Sequence, residues 1–333
     1  MAYAPASNAT TTPSLAHLAT VYYERKGLDQ LTKVFRFRQA CMPDVLPLRV
    51  GKTVQFYRYS LLSANTTPAT EGAVGSGIPL TTTTISATVS EYADFITIST
   101  LLEQTAIDPI VENAAFNLGY RAGLTVDTIV RTEFDSNVSS VALQTQGAAL
   151  AAIDFRKAVA YLEGNDVRPF DPNMNTLGAS STYGEGSYYA IAHPYVIFDL
   201  MSDNTAGGFI DVMRYADPQS ILNNEAGKIG ACRIMKSTNV GSTGSVPSQK
   251  RYVYVVGQGA VGAIELAGTG PTQVVDPQKE SFKINVIKGG PQIADPEGMI
   301  GSAVSYRFVF VTKTLDTTVY RYRILYAQTS LNI

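Results

Sequence analysis

YVYVVGQGAVGAIEL, residues 252–266, is the stretch on which the fold turns. An alternating apolar run leads into Gly257, Gly259 and Gly262. That is the G-x-G-x-x-G spacing of a turn that cradles the pyrophosphate of a dinucleotide. Such a turn needs a strand before it, a helix of about ten residues or more after it, a second strand ending in an acid, and further copies of the unit. A strand does precede the glycines, and TQVVD offers Asp276. Only AIELAGTGP lies between, however, and Gly268, Gly270 and Pro271 break any crossover helix. No further strand–helix alternation follows, and the pattern falls late where such turns open their domain. The glycines read as a tight connection after a strand. A nucleotide-dependent oxidoreductase is kept as an alternative, one that cofactor binding by the purified chain would revive.

Working outward, the 333 residues suffice for one large domain or two ordinary ones, and 45% are hydrophobic, enough for a real core. Only 16% are charged, against roughly 25% in soluble domains. Either other subunits cover much of the surface, or threonine and serine decorate it. The net charge of −2 excludes a chain that binds nucleic acid through its overall charge. Its distribution is uneven. Arg25, Lys26, Lys33, Arg36, Arg38, Arg49 and Lys52 outnumber Glu24, Asp29 and Asp44 at the start, whereas acids dominate from Thr53 to Phe155. A basic arm before an acidic body implies two partners, or two faces of one contact between neighbouring copies.

The strand and helix signals are clearest in three places. GKTVQFYRYSLL alternates, with Val54, Phe56 and Arg58 set against Thr53, Gln55 and Tyr57, and ISATVSEYADFITIST reads as its return. The nearly uncharged SANTTPATEGAVGSGIPLTTTT between them is the tip of a long two-stranded arm. Next, Asp108 and Pro109 suit the start of a helix. Ile107, Ile110, Val111, Ala114, Ala115, Leu118, Ala122, Val126, Ile129 and Val130 hold one stripe to Phe134. At 1.5 Å per residue that rod is roughly 40 Å long. The end of the chain, AVSYRFVFVTKTLDTTVYRYRILYA, alternates again around a turn near Asp316.

Elsewhere the pattern predicts a helix from Pro13 to Gly27 with Leu15, Leu18, Ala19, Tyr22 and Tyr23 on one side, and a short one through Leu28, Leu31, Val34 and Phe35. Another is expected from about Ala148 to Gly164, then a helix–turn region through MRYADPQSILNNEAG and strands in ACRIMKST and YVYVV.

No chemistry gathers on these elements. Cys41 and Cys232 form no disulfide framework and point to a reducing compartment. No CxxC or HxxxH spacing suggests zinc, and no cofactor or metal is expected. A triad would have to use His17 or His193, and no G-x-S-x-G sits on a strand–helix turn. His193, followed by Pro194, reads as a packed histidine. The N-terminus lacks the basic start and apolar segment of a signal peptide, and no run approaches the roughly 18 apolar residues of a membrane span. The best binding candidate is the basic arm, whose Arg25, Lys26, Lys33, Arg36 and Arg38 can neutralise phosphates without reading sequence, or meet a neighbouring subunit.

In this order, YYERKGLDQL (22–31), GKTVQFYRYS (51–60), TTPATEG (66–72), TAIDP (105–109), HPYVIFDL (193–200), MRYADPQSILNNEAGKIGACRIMKST (213–238) and DPEGMIGSAVSYRFVFVTKTLD (295–316) resemble the major capsid proteins of tailed double-stranded DNA bacteriophages. The shell fold of that family is the Hong Kong 97 type, and its N-four (schitovirus) branch is the nearest. Two departures stand out: the chain has no tryptophan in its closing strands, and Tyr195 follows His193-Pro194 where an acid is common.

The resemblance implies an α+β fold divided into an N-arm (1–50), an extended loop with flanking strands (51–99), a peripheral domain with a spine helix (100–147), an axial domain (148–290) holding the opening stretch, and return strands of the peripheral domain (291–333). It implies a non-enzymatic virion protein, assembled in the host cytoplasm into hexamers and pentamers around double-stranded DNA. Its partners would be a scaffolding protein, a portal and a decoration protein, with no membrane. Thr67, Pro68, Glu71, Gly72, Gly75 and Gly77 would lie over a neighbouring subunit. No lysine occurs between Lys52 and Lys157, so the loop is not expected to crosslink covalently. A cellular nanocompartment shell, which shares the fold, is the other reading.

Overall fold

The computed structural model describes residues 36–60, 62–66, 68, 72, 77–143, 149–170, 186–202, 208–211, 224–245, 249–266, 283–288, 299–317 and 319–328. The expected helices before Phe35 and the helix–turn region through residue 223 lie outside these.

The opening stretch forms two strands, β11 (Lys250–Val256) and β12 (Val261–Leu266), and they belong to different sheets. β12 pairs in parallel with β1 (Met42–Leu46) and antiparallel with the long β14 (Ile300–Thr314). One edge of β14 carries β4 (Ser90–Ser99). The other carries β13 (Lys283–Lys288) and then β12, since Tyr306 is opposite both Asp94 and Ile284, and Phe310 opposite both Ser90 and Glu265. β11 instead pairs with β15 (Tyr322–Gln328) and with β6 (Tyr188–Ala192) in an eight-stranded sheet. Its remaining members are β5 (Ala142–Leu143), β7 (Ile210–Asp211), β8 (Glu225–Ile229), β9 (Cys232–Lys236) and β10 (Ser242–Thr243).

The strands are therefore not shared out as the sequence boundaries predict. β12 and β13, expected in the axial part, join β4 and β14. β15, expected to return beside β14, lies between β5 and β11. Tyr306, Phe308, Phe310, Tyr322 and Ile324 all enter one core cluster. The alternation thus shows the apolar face of the last two strands without showing that they sit in separate sheets. Arg323, which alternates with Tyr322 and Ile324, is buried as well. Its guanidinium lies 3.3 Å from the centre of the Tyr161 ring and donates to the Val141 carbonyl at 3.3 Å.

One long helix, α2 (Ile110–Ser136), joins the two sheets. α1 (Thr100–Thr105) precedes it, and Ser99 caps α1 by accepting from the Leu102 N–H at 3.3 Å. The predicted stripe of α2 is buried from Val111 to Phe134, except that Ile129 is half-buried. Ile107 is fully exposed, because the helix starts three residues beyond it at Ile110 and Asp108 supplies no cap. The stripe packs on β14 and, through an aromatic knot, on the other sheet. Phe134 meets Tyr322 edge-on at 4.8 Å, and Phe37 meets Tyr254 edge-on at 5.1 Å. A second core lies on the opposite face of the eight-stranded sheet, under α3 (Ala152–Gly164) and α4 (Pro194–Met201). Burial on both faces explains the unbroken apolar runs YYAIA and YVYVV.

His193 closes this second layer as a helix cap. Its Nδ1 accepts the Tyr195 N–H at 3.2 Å, and Tyr195 stacks edge-on against its ring at 4.5 Å. Burial, with Arg251 nearby, pushes the imidazole pKa down to about 4 from the ordinary 6.5. The unfolded chain therefore binds this proton more readily, so the subunit loses stability as pH falls from about 6.5 toward 4. Urea titrations of His193→Asn, which keeps a good cap, should show a flatter dependence over that window than the unaltered chain.

Candidate intersubunit surface

β2 (Thr53–Tyr59) and β3 (Thr82–Thr88) form a separate two-stranded arm, with Val54 opposite Ala87 and Phe56 opposite Ile85. The single return strand expected over residues 85–100 is in fact two. β3 stops at Thr88, the Val89 N–H bonds the Lys52 carbonyl at 2.9 Å, and Ser90 starts β4 in the main sheet. Val54 and Phe56 turn toward Leu46, Ala87 and Ile264, a small core at the root of the arm. Arg58, on the same face, forms an ion pair with Asp316.

Asp316 stands where β14 leaves for β15, and it also faces Arg321 Nε at 3.6 Å and accepts the Val319 N–H at 3.0 Å. The two passages between the sheets are bonded to one another: the Gly257 N–H donates to the Arg321 carbonyl at 2.9 Å, and the Leu315 N–H to the Ala260 carbonyl at 3.1 Å. A side chain at Gly257 would press on Val167 and come within 3.3 Å of two carbonyl oxygens, and Gly259 has φ +72°. The glycines thus let the chain cross between sheets at a close-packed corner. A strand, not a helix, follows them, as the reading of a tight connection expects and a dinucleotide turn does not.

The outward face of the arm is bare. Tyr57, Tyr59, Leu62, Ile78 and Leu80 are each 56–63% exposed. Apolar and tyrosine side chains held out in this way suit burial against another protein. Pro68, Gly72 and Gly77 are exposed in the same loop, while Thr67, Glu71 and Gly75 lie outside the described residues. The tyrosines carry the surface, and sequence reading noted Tyr57 only as one half of an alternation. Among the described residues no cluster of three or more His, Cys, Asp or Glu is built to hold a metal, and no helix is long and apolar enough to cross a membrane.

The basic residues divide. Arg25, Lys26 and Lys33 lie outside the described residues. Arg36 is half-buried beside a cleft of about 390 Å³. Arg38 does not face a partner at all: it is buried, and its Nη2 donates to Glu265 Oε1 at 2.9 Å across the root of β12. The acid that fixes this part of the chain is Asp127 in α2. Its Oδ1 accepts the N–H groups of Arg36 at 2.8 Å and Phe37 at 2.7 Å, and Asn239 approaches Oδ2 at 3.4 Å. Burial raises its pKa, against the opposing pull of those donors. A charge inside an apolar stripe was the visible signal for this anchor.

Two sheets bridged by one long helix, with a projecting arm, is an arrangement found in viral shells. The chain has the Hong Kong 97-type fold. The capsid protein of Ralstonia phage GP4 matches it with a TM-score of 0.63, covering 87% of each chain at 13% identity. That of the cyanophage P-SCSP1u matches with 0.59, covering 89% of this chain and 88% of its own at 13% identity. The SrpI encapsulin of Synechococcus elongatus matches with 0.53, covering 89% and 88% at 8% identity. No protein-family model matches, and no curated protein does.

Proposed function

We propose that this chain is the major capsid protein of a tailed double-stranded DNA bacteriophage, of the N-four branch, self-assembling into hexamers and pentamers of an icosahedral head. The observation that carries the reading is the bare apolar arm on a Hong Kong 97-type body, a surface suited to another copy. The work is geometric and needs no catalysis. The basic N-terminal segment would contact packaged DNA without sequence preference. Scaffolding, portal and decoration proteins are the further partners, and the virion, assembled in the host cytoplasm, is the site of action.

The encapsulin likeness favours one other reading, a nanocompartment shell that encloses protein cargo. Negative-stain microscopy of the expressed chain tests both. Uniform shells or capsomer rings support a shell subunit, and dispersed monomers overturn it. Particles from the native source that hold double-stranded DNA select the phage reading, and particles filled with an enzyme select the other.

A further inference from the structure

Resting on the shell reading, we infer that a basic knob between β1 and β2 of one subunit docks head-to-tail onto an acidic corner between α1 and α2 of the next. The knob is Leu48, Arg49 and Val50, followed by Lys52, all exposed. Arg49 sits at φ +67°, a left-handed conformation that glycine adopts freely and that a residue with a Cβ adopts only at a cost. Strain of this kind persists where the residue is put to use. The corner presents Leu101, Leu102 and Ile107, all exposed, around Asp108 and the half-buried Glu103. None of Arg49, Lys52, Glu103 or Asp108 makes an ion pair among the described residues. Each patch thus offers apolar side chains with an unspent charge, and the charges are opposite.

The two patches cannot satisfy each other within one subunit. Val45, just before the knob, is level with Glu265 and so with Phe310 of β14, while Ser99 at the corner is level with Ile300. That length of strand spans roughly 30 Å at about 3.3 Å per residue. Two different patches meeting between copies make a heterologous contact, which closes into a ring when the rotation fits. Alone, the pair falls short of the roughly 800 Å² per partner of a stable complex. It therefore acts beside the arm, fixing register and charge sense.

Charge exchange on the full chain tests this. R49D/K52D and E103K/D108K are each expected to need at least about tenfold more protein to form rings or shells, by sedimentation and negative stain, because like charges oppose at a contact. All four substitutions together should restore assembly toward the unaltered concentration. L48S and I107S, uncharged probes of the same patches, should each weaken assembly several-fold while thermal unfolding of the free subunit is unchanged. Pair reversals that assemble like the unaltered chain, or a fourfold variant no better than its parents, overturn the contact and leave the shell reading standing. An unaltered chain that never assembles overturns both.

Discussion

Replacing Glu265 with alanine is expected to lower the unfolding free energy by about 3–5 kcal/mol, because it strands a buried arginine. Arg38 and Glu265 meet at 2.9 Å with side chains 9% and 1% exposed, so water cannot take the place of the lost carboxylate. The guanidinium would stay charged, and its only escape is to drag the turn Phe37–Ala40 out of the core. Removing both charges should cost far less than removing one. The double substitution R38M/E265L is expected to recover most of the loss, and the double-mutant cycle measures the coupling. Urea unfolding of free subunits, compared at constant m-value, reads all three variants. A loss below about 1 kcal/mol for E265A would mean that the pair is not desolvated.

Asp127→Ala should be of similar size for a different reason. It removes the one carboxylate oxygen that accepts two backbone N–H groups, those of Arg36 and Phe37. Each orphaned buried donor costs about 1–3 kcal/mol, and Phe37 is fully buried. A loss of roughly 2–6 kcal/mol follows from those two donors, the lower half if water reaches the part-buried Arg36 N–H. Asp127→Asn keeps an acceptor oxygen of the same shape and is expected to lose less than half as much. Hydrogen exchange distinguishes this local anchor from a general loss of packing: the amides of Arg36 and Phe37 should lose protection before those in the middle of α2. Equal effects of Ala and Asn would contradict the hydrogen-bond account.

Local patterns in the sequence reveal the elements, but not their partners. The stripe from Val111 to Phe134 and the alternation in β2 and β14 are written by burial on one face, which periodicity records directly. Strand pairing is not local. Nothing in VYRYRILYA distinguishes a place beside β14 from one between β5 and β11, since either position buries Tyr322 and Ile324. The glycines were ambiguous by themselves for a related reason: a tight corner between strands and a phosphate cradle both need residues without side chains, and it was Gly268, Gly270 and Pro271, which leave no room for a crossover helix, that favoured the corner. Buried acids were the least legible. Glu265 and Asp316 resemble surface acids until the fold brings Arg38 and Arg58 to them, and only Asp127 stood out, as a charge inside an apolar stripe. The arm was visible as a two-stranded projection with a long tip; its tyrosines needed the pleat of β2 to show which way they face.

The position of β15 has a consequence for the order of events during synthesis. It closes the gap between β5 and β11, pairing Ala142 with Ile324 and Tyr254 with Ile324 on its two edges. At about 5–20 residues per second, β11 waits roughly 3–14 s at the ribosome before that strand appears. Pairings so distant along the chain also close slowly. The arm is translated long before either, yet its clamp residue, Asp316, emerges only just ahead of β15. A nascent chain therefore carries its sticky hairpin early but gains the means to aim it last.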